Sequence, residues 1–206
     1  MENTKERILQ AALYLFAANG YEAVSVSMIA SEVGITKGAL YKHYQNKRDI
    51  FDTILARMRE RDAANANGYD MPLEQLEQDP AAYQALSLDS MVKYSKAQFR
   101  YWVQDEFASS FRKMLTLEQY RNSEMHQLYQ QYLASGPLAY VEDILKSCNV
   151  ADAQRCAAEF YGTMFLFYSV YDGAENKSRT LFLLDSHLDA IRAKWIIHSR
   201  KKEKTK

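Results

Sequence analysis

A cluster of basic side chains lies between Ile35 and Arg48, where the sequence contains no carboxylate. Cations grouped in this way can pair with the phosphates of a nucleic acid. A solvated helical face is the ordinary alternative for a charge cluster, and charge alone does not separate the two. The cluster consists of five side chains: Lys37, Lys42, His43, Lys47 and Arg48.

The charge of the chain is balanced overall but unevenly distributed. The sequence has 26 Lys and Arg against 26 Asp and Glu. Residues 1–61 carry nine basic and seven acidic side chains, residues 62–197 carry twelve and eighteen, and residues 198–206 carry five and one. The middle of the chain therefore repels polyanions. A nucleic-acid contact is expected in the N-terminal segment.

Composition favours a globular, mostly helical protein, because 48% of the 206 residues are apolar and only 3 are Pro and 7 are Gly. Cys148 and Cys156 lack CxxC spacing, so we expect reduced thiols and neither a disulfide scaffold nor a zinc site. No apolar stretch reaches about 18 residues and the N-terminus does not resemble a signal peptide. We therefore expect a cytoplasmic protein that does not contact a membrane.

Four helices are predicted in the first third of the chain, from apolar residues that recur at helical spacing. The first two end at Gly20 and Gly34, since glycine is the usual residue after a helix. The fourth extends to about Ala64. Asn3 forms the spacing of a capping box with Glu6 at the start of the first helix. The capping residues of the second, third and fourth helices are Ser25, Thr36 and Asn46.

The second and third helices have the spacing of a helix-turn-helix. Ala30 lets two helices cross closely, Gly34 permits the positive φ of a tight turn, and Leu40 anchors the third helix together with Tyr41 and Tyr44. Two short helices joined at a glycine also occur in many other helical proteins. The basic cluster on the same helix favours DNA binding over this purely structural alternative.

The segment from Ala12 to Leu55 resembles the DNA-binding domain of TetR-family transcriptional regulators. Tyr44 stands where the family usually has Phe, and Arg48 where an acidic residue commonly follows the lysine. The resemblance rests on four motifs: Phe16-Ala17-Ala18-Asn19-Gly20-Tyr21, Val26-Ser27-Met28-Ile29-Ala30, Gly34-Ile35-Thr36-Lys37-Gly38-Ala39-Leu40-Tyr41, and Tyr44-Gln45-Asn46-Lys47-Arg48-Asp49-Ile50.

The resemblance implies which side chains contact DNA. Tyr44 is assigned to the core, whereas Tyr41 could pack or reach a phosphate and His43 could be a neutral surface residue. Lys47 begins a helix, where amides and a cation together favour a phosphate. By the resemblance, the positions that commonly touch phosphates are Thr36, Lys37, Tyr41, His43 and Lys47. Base contacts are implied at Lys37, Gly38, Ala39 and Lys42. Ser27 is the remaining residue of the predicted DNA-binding set.

Two helices near the C-terminus, at about 152–172 and 178–199, are predicted to form a two-fold interface, because the first is apolar on two faces and needs two partners. Burial of both helices within one subunit is the alternative. Dimerisation through such helices is also what the resemblance implies. The predicted interface residues are Phe160, Met164, Phe167, Tyr171, Leu184, Leu188, Ile191 and Trp195.

TetR-like regulators hold a small ligand among their C-terminal helices, and the resemblance implies such a cavity here. Its aromatic residues favour a flat or hydrophobic ligand. Each of them is individually more typical of core or surface. The candidate lining residues are Trp102, Phe111, His126, Tyr129, Phe165 and Tyr168.

The sequence thus predicts an all-α protein with an N-terminal three-helix helix-turn-helix domain and a C-terminal helical domain for ligand binding and dimerisation. Further helical patterns are seen at about 81–103, 105–120 and 123–147, the last with a break at Gly136-Pro137. The predicted boundaries are residues 1–47 for the DNA-binding domain, 48–64 for a connecting helix, 65–80 for a linker, 81–199 for the C-terminal domain and 200–206 for a frayed basic tail.

The predicted function is that of a homodimeric, nucleoid-associated regulator that binds a pseudo-palindromic operator in double-stranded DNA. It would act as a repressor that a small molecule releases. Catalytic motifs are absent, so no enzyme, cofactor or metal is expected. Two alternatives remain: a ligand-binding or protein-interaction module whose helix-turn-helix is only structural, and an activator controlled by a protein partner.

Overall fold

The computed structural model describes residues 3–203, with side chains up to Ile196, and this part of the chain forms eleven helices and no strand. The predicted all-α class is confirmed. The helices are α1 (Thr4–Asn19), α2 (Val26–Val33), α3 (Lys37–Leu40), α4 (Lys47–Asn67), α5 (Pro80–Gln84), α6 (Leu88–Gln104), α7 (Glu106–Glu118), α8 (Ser123–Leu133), α9 (Ser135–Ser147), α10 (Ala153–Gly173) and α11 (Lys177–Glu203).

The chain divides into two compact units. Unit 1 contains residues up to Ala63 together with Gln104–Tyr129, and unit 2 contains Ala64–Val103 and the residues from Gln130 onward. In unit 1, α1 packs against both α2 and α7, and α7 begins 39 residues after the end of α4. The apolar stripes predicted for α1 and α4 are buried there: Ile8, Leu9, Ala12, Leu13 and Phe16, and Ile50, Phe51, Ile54, Leu55 and Met58.

The predicted caps and turn of the helix-turn-helix are present in unit 1. The Ser25 hydroxyl accepts the amide of Met28 at 3.2 Å, and the Thr36 hydroxyl accepts the amide of Ala39 at 3.1 Å. Gly34 adopts φ 76° and ψ 33°, a left-handed conformation that glycine reaches at little cost. These contacts fix where α2 ends and where α3 begins.

The capping box predicted at Asn3 is only half formed. The Asn3 side chain accepts the amide of Lys5 at 3.1 Å. Glu6 does not reach back to Asn3, because its carboxylate accepts hydrogen bonds from Gln10 and Arg57. The competing partner Arg57 lies 51 residues away on α4, so the local spacing did not indicate it.

Unit 2 is built from α5, α6, α9, α10 and α11 with the end of α8, and α10 packs against both α9 and α11. Its interior is rich in rings: Phe99 on α6 stacks on Tyr168 of α10 with centroids 5.0 Å apart. An ion pair between Lys96 and Asp189, 2.6 Å apart, joins α6 to α11.

Two helix breaks differ from the predicted pattern. The pattern at 81–103 is interrupted after α5, where Ser87 and Ser90 exchange side-chain hydrogen bonds and begin α6. The break predicted at Gly136-Pro137 occurs two residues earlier, at Ala134. Pro137 has no N–H to donate to the carbonyl of Leu133, and the Tyr161 hydroxyl donates to that carbonyl at 2.7 Å.

The segment 65–80, predicted as a linker, belongs to unit 2, where two tyrosines hold it in place. The Tyr140 hydroxyl donates to the carbonyl of Pro72 at 2.9 Å, and that of Tyr83 donates to the carbonyl of Glu74 at 3.0 Å. At the other end, α11 includes residues 200–203 of the predicted basic tail. Residues 204–206 of that prediction lie outside the described residues.

Candidate nucleic-acid interface

The side chains predicted to contact DNA lie on α2, on α3 and in the segment that leads into α4. Ala39, His43 and Lys47 are half-buried. The other members are exposed, as a contact with DNA requires: Ser27, Thr36, Lys37, Gly38, Tyr41 and Lys42. Neither Lys37 nor Lys42 forms an ion pair with any described residue, so no carboxylate in the described part of the chain competes with an anion for either ammonium group.

The third helix is a single α-helical turn, Lys37–Leu40, followed by turn residues 41–43. Leu40 is fully buried and anchors it. Tyr41, for which packing and reaching a phosphate were both left open, is 45% exposed and does not pack inward with Leu40. Its ring lies 5.8 Å from the Nζ of Lys37, so the exposed face of α3 carries a cation against an aromatic ring.

Tyr44 connects the end of this segment to the first turn of α1. Its side chain is 2% exposed, which confirms the predicted core position, and its hydroxyl donates to the carbonyl of Lys5 at 3.2 Å. Burial raises the pKa of Tyr44 to about 12. The hydroxyl therefore stays protonated at neutral pH and remains a donor.

Lys47 has protein partners that the sequence did not reveal. Its Nζ donates to the carbonyl of Tyr21 at 2.8 Å and lies 4.2 Å from the centroid of the Tyr21 ring. A weaker hydrogen bond of 3.4 Å reaches the carbonyl of Glu22. An ammonium group has three N–H donors, so one remains for a phosphate. Lys47 thus binds the backbone of the connection between α1 and α2, and its side chain is also partly exposed to solvent.

Arg48 does not add charge to the basic cluster, contrary to its place in the sequence. Its Nε donates to Asp52 at 2.8 Å, and its two terminal nitrogens donate to the carboxylate of Glu124 at 2.7 Å each. These bonds raise the pKa of Arg48 and lower that of Glu124. The positive surface is therefore carried by Lys37 and Lys42, with Lys47 as a partly engaged neighbour.

The stripe predicted to face a partner subunit packs within a single chain instead. Phe167 is the half-buried exception. Side chains that are already covered have almost no surface left for a partner, so this placement corrects the predicted interface. The covered residues are Phe160, Met164, Tyr171, Leu184, Leu188, Ile191 and Trp195, all below 9% exposure.

A different stripe of α10 and α11 is apolar and exposed. On α10 it comprises Phe165, Leu166 and Val170, which are 42%, 60% and 44% exposed. On α11 it comprises Phe182 and Leu183, which are 69% and 49% exposed. Clustered exposed apolar side chains of this kind mark an interaction surface.

Three of the predicted ligand-binding residues lie in unit 2. Trp102 is buried with its ring 6.2 Å from that of Tyr132, and Tyr168 is buried against Phe99. Phe165 belongs to the exposed stripe of α10. It is therefore on an open surface and does not line an enclosed cavity with Tyr168.

The other three predicted ligand-binding residues lie in unit 1. Phe111 is fully buried in the core on α7, and Tyr129 is buried at the end of the unit, which raises its pKa. His126 is exposed on α8 and does not point into the core. An open groove of about 980 Å³ lies elsewhere in unit 1, and Glu6, Arg57, Arg61, Asp105 and Phe107 are among its lining residues.

Among the described residues, no helix is long and apolar enough to cross a membrane. Within the same part of the chain, no group of three or more His, Cys, Asp or Glu side chains is arranged to hold a metal ion.

Comparison with known proteins bears on the helix-turn-helix. Residues 8–54 match the family model of bacterial regulatory proteins, tetR family. The predicted TetR resemblance is confirmed. The TetR-like segment is also 38% identical over 55 residues to the HTH-type transcriptional regulator SrpR of Pseudomonas putida. That alignment covers 27% of this chain and 26% of SrpR, so the chain spans about a quarter of the length of this curated relative.

Solved structures extend the TetR-like likeness to the fold of nearly the whole chain. A transcriptional regulator of the TerR/AcrR family from Aquifex aeolicus VF5 gives a TM-score of 0.66 at 16% identity, over 92% of this chain and 99% of that one. The complex of SmeT with triclosan gives a TM-score of 0.61 at 19% identity, over 91% of this chain and 90% of that one. SmeT is the repressor of a multidrug efflux pump of Stenotrophomonas maltophilia. At these identities the likeness is one of fold alone.

Proposed function

We propose that this protein is a sequence-specific DNA-binding transcriptional regulator, a repressor that leaves its operator when a small molecule binds. The observation that carries the proposal is the exposed face of α3 and of the turn residues 41–43 that follow it. Lys37 and Lys42 extend there without ion-pair partners in the described chain, next to the small residues Gly38 and Ala39. Small residues allow close approach to base edges, and lysines can bind guanine or phosphate.

We assign base contacts and phosphate contacts to different side chains according to where each side chain lies. Lys37, Gly38, Ala39 and Lys42 read bases in the major groove. Contacts to the phosphates come from the surrounding residues and set the register of the protein on the duplex without reading sequence. These are Ser27, Thr36, Tyr41, His43 and the remaining N–H of Lys47, while Lys37 lies where it can make either kind of contact.

A homodimer would present two such α3 segments to one operator. We assign its interface to the exposed stripe of Phe165, Leu166 and Val170 on α10 with Phe182 and Leu183 on α11. Small side chains alternate with these residues along both helices, as at Gly162 and Ser186, and would let two helix pairs pack closely. The two α3 segments would then enter successive major grooves roughly 34 Å apart on a pseudo-palindromic site.

The release step would depend on a ligand of aromatic or hydrophobic character in unit 2. The buried rings of Phe99, Trp102, Tyr132 and Tyr168 support this chemistry, since apolar and aromatic side chains usually dominate a small-molecule site. Triclosan, bound to the similarly folded SmeT, is a small molecule of this kind. Such a ligand would act by preferring a conformation that binds the operator poorly, with a coupling of about 1 to 3 kcal/mol.

Selection of bound fragments from random DNA, followed by a mobility-shift titration, tests the DNA half of the proposal. We expect a pseudo-palindromic consensus and salt-sensitive retardation that a scrambled duplex competes poorly. The double variant Lys37→Ala/Lys42→Ala should lose this preference, while Lys93→Ala in unit 2 should keep it. Absence of any sequence-selective retardation by the wild type would favour a protein-interaction module with a structural helix-turn-helix.

A thermal-shift screen of aromatic and lipophilic compounds tests the ligand half. A compound that raises the unfolding midpoint should also release the selected operator at matching concentrations, because both effects come from one binding equilibrium. If no compound does so while DNA binding is intact, control by a protein partner becomes the better account.

A further inference from the structure

Lys5, at the second position of α1, lies beside the segment that follows α3, although 39 residues separate it from Tyr44. The Tyr44 hydroxyl donates to the carbonyl of Lys5 at 3.2 Å, and the Lys5 Nζ lies 5.2 Å from the centroid of the Tyr44 ring. Tyr44 directly follows Lys42 and His43 in the sequence. The start of α1 is therefore held against the residue that directly follows two members of the proposed DNA-binding set.

The positive charge of Lys5 is uncompensated in the described part of the chain. The side chain is exposed and forms no ion pair with a carboxylate there. The two carboxylates whose charges act on Tyr44 are those of Glu6 and Asp49. Glu6 is paired with Arg57, and Asp49 accepts the amide of Gln45 at 2.9 Å. Neither of these carboxylates is paired with Lys5, whose exposed side chain places its ammonium group over the Tyr44 ring.

We propose that Lys5 binds the phosphate backbone of the operator and extends the DNA interface from the helix-turn-helix onto α1. This role rests on the proposed function. A solvated lysine gains by releasing counterions from DNA, and its contact to a phosphate carries no sequence information. The ring of Tyr44 lies beneath the ammonium group, and the hydrogen bond from Tyr44 fixes the backbone from which the side chain extends. Tyr44 is thus a positioning residue for Lys5.

The test compares Lys5→Gln, which removes the charge, with Lys5→Arg, which keeps it. Lys93→Gln is the matched control, because Lys93 is an exposed lysine of unit 2 whose Nζ lies 5.8 Å from the ring of Tyr69. Fluorescence anisotropy would give Kd for a selected operator and for a scrambled duplex between roughly 50 and 200 mM salt. Unfolding midpoints of all variants would be measured in parallel.

For Lys5→Gln we expect the slope of log Kd against log salt to fall by about 0.9 per protomer, on both duplexes alike. Lys5→Arg and Lys93→Gln should keep the wild-type slope. A wild-type slope in Lys5→Gln overturns the proposal, and so does a loss confined to the selected operator, which would indicate base reading. In either case the proposed function stands, whereas a wild type that binds neither duplex refutes that function itself.

Discussion

Arg48 and Glu124 form a bidentate ion pair in which both terminal nitrogens of the guanidinium lie 2.7 Å from the two carboxylate oxygens. The pair joins the first turn of α4 to the first turn of α8 within unit 1, across 76 residues of sequence. Arg48 comes directly after Lys47, at the end of the basic cluster. Its charge is therefore used to hold α8 to α4, and the adjacent surface has fewer cations than the sequence indicates.

Breaking this pair should have a small, measurable effect on stability. Both side chains are nearly half exposed, and exposed pairs contribute about 0.2 to 1 kcal/mol. A double-mutant cycle of Arg48→Ala and Glu124→Ala in urea should give a coupling energy in this range that shrinks as salt is added. Arg48 lowers the pKa of Glu124, so the contribution is present above the unfolded pKa of about 4.3 and lost as pH falls through the folded value. A coupling energy of zero at low salt would contradict the bidentate geometry.

Lys47→Ala and Lys42→Ala should behave differently. Lys47→Ala removes the hydrogen bond to Tyr21 and the remaining phosphate contact, so it should lower the unfolding midpoint, weaken binding to all duplexes alike and reduce the salt slope by about one per protomer. Lys42→Ala should leave the midpoint unchanged and alter the preferred operator. Salt titrations on matched and scrambled operators, with thermal melts, measure both. Identical behaviour of the two variants would defeat the assignment.

Gly34→Ala should destabilise the protein through backbone strain alone. Gly34 has φ 76°, and a Cβ built there meets no atom within 4 Å. The cost should therefore be close to that of one left-handed non-glycine residue, about 1 to 2 kcal/mol. Urea unfolding would measure it. Gly34→Asn, whose side chain tolerates this conformation better, should lose less stability. An equal loss in both variants would point to a clash rather than strain.

Substitutions on the two faces of α11 should separate association from folding. Phe182→Glu on the exposed stripe should convert a dimer to a folded monomer, because it places a charge in the proposed interface. Leu188→Ala, at a fully buried position, should cost about 2 to 5 kcal/mol of unfolding free energy. Analytical ultracentrifugation and chemical unfolding would distinguish these effects. A Phe182→Glu protein that remains dimeric would exclude this stripe as the interface.

Tyr44→Phe should reveal the hydrogen bond to Lys5. Its loss should reduce stability by about 0.5 to 1.5 kcal/mol at neutral pH. The folded pKa of Tyr44 is about 12 and the unfolded value about 10, so its contribution is complete below pH 10 and declines as pH rises toward 12. Unfolding curves from pH 8 to 12 should therefore fall less steeply for Tyr44→Phe than for the wild type. Tyr14→Phe, at an exposed position, should match the wild type.

Local features were predictable because their causes are local. The Ser25 and Thr36 caps, the left-handed Gly34 and the buried stripes of α1 and α4 each follow from residues within a few positions of one another. Helix breaks and the course of the segment between α4 and α5 have causes that are not local. The break at Ala134 and the fixed segment 65–80 depend on tyrosine hydroxyls from distant helices, which periodicity does not indicate.

The sequence by itself therefore determined the helical class and the helix-turn-helix, since spacing and capping encode them directly. The candidate DNA-contacting side chains came from the resemblance of this segment to TetR-family regulators. Only the tertiary structure decided which charges remain available and which apolar faces remain uncovered. Lys47 is engaged by Tyr21 and Arg48 by Glu124, while the Phe160 stripe of α10 is buried and the Phe165 stripe is not. The physical reason is that a sequence pattern indicates which helix face is apolar and which side chain is charged. The residue that covers the face or pairs with the charge is set by packing between residues far apart in the chain.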